Sequence, residues 1–186
     1  MQLDKAIYER RSIRRFHPRK PDWRKILEAI DAARQAPAAG NLHCLKFILV
    51  DDPDKIERIG KACLQQFVST ANYIVVVCSD PTEVIRSYDE RGEIYIKQQA
   101  GAAIENFLLK ITDLGLGSCW IGAFVDEQVK TALRIPENIN VEALLPVGYP
   151  MNKPVRVPKK ANIDKFVYFN LWNNKYMKPI IAVEPV

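Results

Sequence analysis

The chain has 186 residues, of which 48% are hydrophobic and 26% are charged. This composition fits one globular domain with a proper core, or one half of an intertwined pair. No apolar run approaches the roughly 20 residues that cross a bilayer, and the N-terminus lacks the apolar core of a signal peptide. We therefore expect a cytoplasmic protein with no membrane partner.

The cysteines and histidines exclude a recognisable metal site. Four cysteines lie far apart without a CxxC motif, and the chain has two histidines. Neither a zinc nor an iron–sulfur pattern can be drawn from them, so we predict no metal ligands. The net charge of +5 is compatible with nucleic acid, an acidic cofactor or simple solubility. Because no recognition helix or stacking motif accompanies the charge, we expect no nucleic-acid partner.

Hydrophobic periodicity predicts helices that alternate with at least four strands. Helices are expected over 3–8, from Trp23 with Asp22 as its cap, over 53–64, over 94–114 and from a capping Asp126. Strands are expected from 47 to 50, over 73–78, within the glycine-rich segment and over 141–149. Trp23, Ile26, Leu27 and Ile30 should form the buried face of the second helix. The apolar run over 73–78 is typical of a strand covered on both faces. These elements predict a sandwich of helices on a mixed sheet, of the α/β or α+β class.

The densest cluster of positive charge is RRSIRRF, Arg10 to Phe16. Its four arginines place forked donors beside the hydroxyl of Ser12, while Ile13 and Phe16 can anchor the segment in the core. A phosphate monoester would fit such a segment. The alternative is a solvated basic helix end, because cations favour the C-terminal end of the helix dipole.

Small residues mark a tight loop in APAAGNLHCLKFILV, Ala36 to Val50. Gly40 permits a sharp turn, and Asn41 offers an amide. The loop is either a plain connection into the strand that begins at Phe47 or a lip against a planar ligand.

Three glycines in eight residues expose the main chain of GLGSCWIGAF, Gly115 to Phe124. Gly115 and Gly117 can adopt positive φ and end a helix, while Gly122 lets another molecule approach the backbone closely. An uncovered backbone suits a flat polar ligand. The alternative is a helix end that continues into an ordinary core strand.

The C-terminal segment from Pro150 onward holds five of the twelve prolines together with many aromatic residues. An apolar tail without a core of its own is expected to wrap over a partner subunit. We therefore predict a single domain over 1–186, with 150–186 as an extension onto the partner. Segment 81–92 is expected to be a helical lid or loop.

Taken together, these stretches resemble the nitroreductase-like flavoproteins, a family that carries FMN. RRSIRRF resembles the N-terminal signature of the family, APAAGNLHCLKFI at 36–48 resembles the second motif, and GLGSCWIGAF followed by LLPVGYP at 144–150 resembles the third. Gln65 is similar to a glutamine often found before the apolar strand. Basic residues before FVYFNLW resemble the C-terminal phosphate contact. The motifs follow the order of the family over nearly the whole chain.

The resemblance implies which residues contact FMN. At the phosphate and ribityl end, the implied contacts are Arg10, Arg11, Ser12 and Arg14, with Lys159 or Lys160. Near the ring, they are Pro37, Ala38, Ala39 and Asn41 of the other subunit. Gln65 is implied at the pyrimidine edge, and the backbone of Ile121, Gly122 and Ala123 is implied to face the hydride-accepting nitrogen. No separate catalytic side chain is implied, since the flavin carries the chemistry. Cys44 and Cys119 lie inside these motifs, and we expect both to be small buried core thiols.

The fold implied by the resemblance is an α+β homodimer with a mixed central sheet and FMN at the interface. The implied activity is an FMN-dependent oxidoreductase that takes a hydride from NADH or NADPH and reduces a small acceptor, a nitroaromatic, a quinone or a related compound, in a ping-pong cycle. The alternatives are an FMN carrier or sensor with little turnover and a reductive dehalogenase of the same family.

Overall fold

The computed structural model describes residues 2–152 and 160–177. Two compact units divide the chain, Met1–Lys153 and Pro154–Val186. The first contains the helices α1 (Leu3–Glu9), α2 (Trp23–Ala33), α3 (Pro53–Ala62), α4 (Thr82–Tyr88), α5 (Glu90–Asp113) and α6 (Asp126–Leu133), the strands β1 (Leu45–Val50), β2 (Tyr73–Ser79), β3 (Gly117–Ser118) and β4 (Asn140–Gly148), and 3₁₀ turns at Ala39–Asn41 and Gln66–Thr70.

Helices cover both faces of a four-stranded sheet with the order β1-β2-β4-β3. On one face Val75 and Val77 of β2 pack in a cluster with Phe107 of α5. On the other face Val76 packs in a cluster with Ile59 of α3 and residues of α6. Every residue of β2 is buried, as its unbroken apolar sequence predicted. The α+β class is therefore confirmed.

The predicted mixed sheet is mostly antiparallel. All three strand pairs among the described residues are antiparallel. The parallel pairing is a single bridge between Ser12 and Ser118. Continuous apolar strands suggested parallel neighbours, but they arise here because helices cover both faces of an antiparallel sheet.

The buried face of α2 and the N-cap of α6 also differ from the sequence prediction. Asp22 caps α2 as predicted, since its carboxylate accepts a hydrogen bond from the Arg24 amide. Trp23 and Leu27, however, are 47% and 44% exposed, because α2 turns Ile26, Ala29 and Ala33 toward the sheet instead. Asp126 does not cap α6, since it is already the first helical residue.

The arginine-rich segment extends along the free edge of β3. The Ile13 amide donates to the Ser118 carbonyl oxygen at 2.9 Å, and the His17 amide donates to Tyr149 at 2.8 Å. Gly117 makes this approach possible, because a Cβ atom there would lie 2.7 Å from Ile13 Cγ1. Residues 12 and 13 therefore line the edge that the glycine-rich segment forms, and residues 15–17 continue along residues 149–151, just after β4.

The second unit is described from Lys160 to Met177 and contains a 3₁₀ turn at Ile163–Lys165. Its aromatic residues pack on each other, with Tyr168 and Trp172 edge to face at 4.8 Å between ring centroids and Lys175 over the Tyr168 ring. Phe166 and Trp172 remain 70% and 82% exposed. That this unit wraps a partner stays a prediction.

In the described parts of the chain, no helix has the length and apolar character that a membrane span requires.

Replacing Gly117 with alanine should lower the free energy of unfolding by about 1–3 kcal/mol, since the new methyl group overlaps the Ile13 side chain. Urea unfolding followed by circular dichroism measures the loss. Gly122→Ala is the matched control, because a Cβ atom at Gly122 meets nothing within 4 Å. Adding Ile13→Ala to Gly117→Ala should recover part of the lost stability. A Gly117→Ala variant as stable as the unsubstituted protein would contradict this packing.

Candidate functional site

Three stretches that lie far apart in the sequence meet at one side of the sheet. They are the arginine-rich segment, the glycine-rich segment and the turn that follows Gln65. The first two are joined by the hydrogen bond from the Ile13 amide to Ser118. The Arg14 guanidinium lies 6.0 Å from the centre of the Phe67 ring, which brings in the turn that follows Gln65. The Val125 amide, just after the glycine-rich segment, donates to the carbonyl oxygen of Ala62 at 3.0 Å. This bond joins the glycine-rich segment to the end of α3, which precedes Gln65.

The arginines of this site differ in how they are engaged. The Arg10 side chain forms an ion pair with Glu105 of α5 at 3.3 Å. Arg11 donates to the carbonyl oxygens of Tyr8 and of Arg10, at 2.7 and 2.6 Å. Arg14 makes neither an ion pair nor a hydrogen bond with the described residues and contacts only an aromatic ring through its guanidinium. Arg14 therefore keeps its forked donors for an external anion.

The main chain opens at Gly122 and Ala123. Both Ile121 backbone groups pair with Leu144 across the sheet at 3.0 Å. Gly122 and Ala123 are exposed, and their amides donate no hydrogen bond within the described part of the chain. The unused donors at this point are therefore the amides of Gly122 and Ala123, whereas the Ile121 amide is already occupied.

Two further polar side chains at this site have no hydrogen-bond partner within residues 2–152 and 160–177. Gln65 is half-buried and precedes the 3₁₀ turn without capping it. Ser12 is exposed, although its backbone forms the bridge to Ser118. A hydroxyl, an amide and a guanidinium thus lie along one edge of the sheet and its neighbouring turn, and all three are available to a polar ligand.

The loop that carries Pro37, Ala38, Ala39 and Asn41 lies at the other end of β2. The Asp80 amide, just after β2, donates to the carbonyl oxygen of Cys44, near this loop, at 2.9 Å. The Asn72 side chain, just before β2, donates to the carbonyl oxygen of Pro18, near the arginine-rich segment. Seven residues of an extended strand span about 20 Å. The structure does not bring this loop and the arginine-rich segment together within one chain.

Two predicted phosphate contacts belong to the second unit. Lys159 lies outside the described residues, and Lys160 is exposed. The predicted role of both lysines stays a prediction.

The cysteines are core residues, as predicted for Cys44 and Cys119. All four are free thiols and buried. Burial raises the pKa of Cys63 and of Cys78 to about 11, so both are protonated at neutral pH. The Cys44 thiol donates to the Gln99 side-chain oxygen at 3.3 Å. Within residues 2–152 and 160–177, no cluster of three or more His, Cys, Asp or Glu side chains could hold a metal ion.

Comparison with known proteins assigns the fold and the motifs to one family. The model of the nitroreductase family matches residues 7–73 and 61–149. The chain belongs to the nitroreductase family. It is 37% identical over 154 residues to a provisional NADH dehydrogenase/NAD(P)H nitroreductase of Archaeoglobus fulgidus, a match that covers 80% of this chain and 86% of that protein.

Two further relatives of this nitroreductase-family chain have informative names. An FMN reductase (NADPH) of Bacillus subtilis is 27% identical over 182 residues, which cover 88% of this chain and 73% of that protein. The crystal structure of a nitroreductase family protein from Clostridium novyi NT superposes with a TM-score of 0.76 at 31% identity and covers 97% of this chain and 100% of that chain. These matches confirm the nitroreductase-like fold.

Sequence reasoning missed three side chains that shape the site. Phe67 supports Arg14, Glu105 holds Arg10, and Tyr88 packs against Gly40 of the loop. Phe67 could have been found, because an aromatic residue two positions after Gln65 stood in a segment already singled out. Glu105 and Tyr88 act across large sequence separations, and no local pattern indicates their partners.

Proposed function

We propose that this member of the nitroreductase family is an NAD(P)H-dependent flavin oxidoreductase with FMN as its resident cofactor. The proposed acceptors are nitroaromatics, quinones or related small molecules, reduced by two electrons in a ping-pong cycle. One observation carries the proposal. The Arg14 guanidinium and the amides of Gly122 and Ala123 have no hydrogen-bond or ion-pair partner among the described residues, and they lie on stretches that the Ile13–Ser118 hydrogen bond joins.

The residues present fit FMN in charge and in shape. A phosphate dianion matches the free guanidinium of Arg14, with Arg10 and Arg11 held nearby by Glu105 and by backbone carbonyls. A flat ring can approach the main chain at Gly122, where no atom lies within 4 Å of a would-be Cβ. The donor set therefore suits a ligand with an anionic tail and a planar head.

The chain itself contributes binding, orientation and electrostatics. When bound, FMN supplies the two-electron, hydride-accepting chemistry. The Gly122 and Ala123 amides and the Gln65 side chain are proposed to donate hydrogen bonds along the ring. Donors at fixed positions stabilise the negative charge that reduction places there, so they raise the reduction potential. No side chain of the site has to move a proton as a general acid or base.

A homodimer is part of the proposal. The loop at 37–41 has the motif of a flavin contact, yet it lies about one strand length from the arginine-rich segment of its own chain. A second copy can place its own loop against the ring while the first copy holds the phosphate. The exposed apolar side chains of the second unit, among them Phe166 and Trp172, favour the same assembly, because they lack cover within their own unit.

Anaerobic mixing with NADH or NADPH tests the function. We expect the purified protein to be yellow and its visible absorbance to bleach within seconds, and a nitroaromatic or quinone added afterwards should restore the colour. A yellow protein that neither nicotinamide bleaches would be a flavin carrier or sensor, and the oxidoreductase proposal would fail. A colourless protein that takes up no added FMN would remove the cofactor as well.

Complementation between two inactive variants tests whether the loop acts in trans. Arg14→Glu should empty the site, because a carboxylate would face the phosphate, and Ala38→Trp should empty it by filling the ring space. Co-expression of the two should restore FMN at about a quarter of all sites, because half of the random dimers are mixed and each mixed dimer has one intact site. FMN bound per chain measures the recovery.

The matched control replaces Arg14→Glu with Arg15→Glu, which makes the same charge change at the neighbouring position. Arg15→Glu should keep FMN by itself. If the mixed Arg14→Glu and Ala38→Trp dimers stay empty while each variant is folded and dimeric, the loop does not come from the partner.

A further inference from the structure

An open groove lies between α3 and α6, apart from the proposed phosphate and ring contacts. Its volume is about 370 Å³, within the roughly 300–1,000 Å³ that is typical of small-molecule sites. The lining residues are Arg58 and Lys61 of α3 and Glu127, Gln128, Thr131 and Ala132 of α6. The proposed FMN contacts include none of these residues.

The two walls of the groove are rows of side chains on packed helices. Arg58 and Lys61 are one turn apart on α3, and Gln128 and Ala132 are one turn apart on α6. Ile59 and Val129, from the same two helices, are fully buried in one cluster. Because close packing fixes the distance between the helices, the side chains of the two walls face each other at a constant separation.

Two of the three charged side chains in the lining have no partner in the described parts of the chain. Lys61 is engaged, since it pairs with Glu57 at 2.7 Å and this hydrogen bond lowers the pKa of Glu57. The Arg58 guanidinium and the Glu127 carboxylate form no ion pair or hydrogen bond with any described residue, including each other. The groove therefore offers one cation on the α3 wall and one anion on the α6 wall.

This arrangement of charges favours a ligand that carries both signs. A guanidinium fork binds a carboxylate through two parallel hydrogen bonds, and a carboxylate accepts hydrogen bonds from an ammonium group. A simple anion would be repelled by Glu127, and a simple cation would be repelled by Arg58. The Gln128 amide and the Thr131 hydroxyl add neutral polar groups, and the half-buried Ala132 adds a small apolar surface.

We propose that the groove between α3 and α6 binds a free α-amino acid in its zwitterionic form. Arg58 binds the carboxylate of the amino acid, Glu127 binds its ammonium group, and its side chain lies toward Ala132. The inference goes beyond the proposed function and does not depend on it, because no residue of the groove is a proposed flavin contact.

A nitrogen-15 NMR titration of the FMN-loaded protein tests the site with three probes. The probes are L-leucine, 4-methylpentanoate, which is leucine without its amino group, and 3-methylbutylamine, which is leucine without its carboxylate. L-Leucine should shift the backbone amide signals of Arg58 and Thr131 in a saturable way. Its Kd should be about 3–5-fold lower than that of either analogue, because each analogue loses one exposed charge contact.

Substitutions that keep the size of each side chain assign the two charges. Arg58→Gln should raise the Kd of L-leucine about 3–5-fold without weakening 3-methylbutylamine, and Glu127→Gln should raise it similarly without weakening 4-methylpentanoate. Arg134→Gln and Asp126→Asn are the matched controls. They make the same charge changes at exposed residues next to the groove but outside its lining, so the Kd of L-leucine should stay unchanged.

Three results would overturn the proposal. One is an equal Kd for L-leucine and both analogues, and another is an equal loss in the control variants. The third is the absence of saturable shifts at Arg58 and Thr131, which would indicate that Arg58 and Glu127 pair with each other across the groove. The same titration applies to protein that takes up no FMN, so a failure of the proposed function is distinguishable from a failure of this site.

Discussion

The hydrogen bond from the Ile13 amide to the Ser118 carbonyl oxygen joins two stretches about a hundred residues apart. Because β3 is a short edge strand, its outer side can accept the arginine-rich segment as an additional strand. Gly117 removes the side chain that would block Ile13. The free guanidinium of Arg14 and the open amides after Ile121 therefore belong to one surface only because this edge is paired.

The rest of the fold serves to hold that edge in place. β2 and β4 are buried on both faces, and the helices packed on them fix the ends of every strand. The same rigidity keeps the loop at 37–41 at the far end of β2. A site that needs both the arginine-rich segment and this loop is therefore incomplete in one chain. In the proposed homodimer, the loop of a second copy completes it.

Much of the fold could be predicted from the sequence because its signals are local. The apolar run of β2, the Asp22 cap and the helical periodicity of α5 each arise from neighbouring residues. The small extent of the parallel pairing could not be predicted, because an apolar strand indicates burial on both faces and not the direction of its neighbours. The buried face of α2 was misassigned because Ala29 and Ala33 carry a weak hydrophobic signal, whereas the exposed Trp23 carries a strong one.

The candidate site was predictable as a set of stretches but not as a set of contacts. Motif order pointed to Arg14, Gln65 and Gly122 without showing that the Ile121 amide is already paired. Long-range partners such as Glu105 for Arg10 leave no trace in local spacing. The packing of Tyr88 against Gly40 of the loop is of the same kind, since it depends on how two helices fold back on each other.

The central claim is that the arginine-rich segment and the glycine-rich segment bind the two ends of one molecule. The most direct measurement is a nitrogen-15 NMR titration of the flavin-free protein with FMN and, separately, with riboflavin, which lacks the phosphate. With FMN, the Arg14 side-chain signal and the Gly122 and Ala123 amide signals should shift together and saturate at one equivalent per chain; with riboflavin, only the two amides should shift. If the Arg14 and Gly122 signals saturate at different FMN concentrations, or if neither moves, the two segments do not share a ligand.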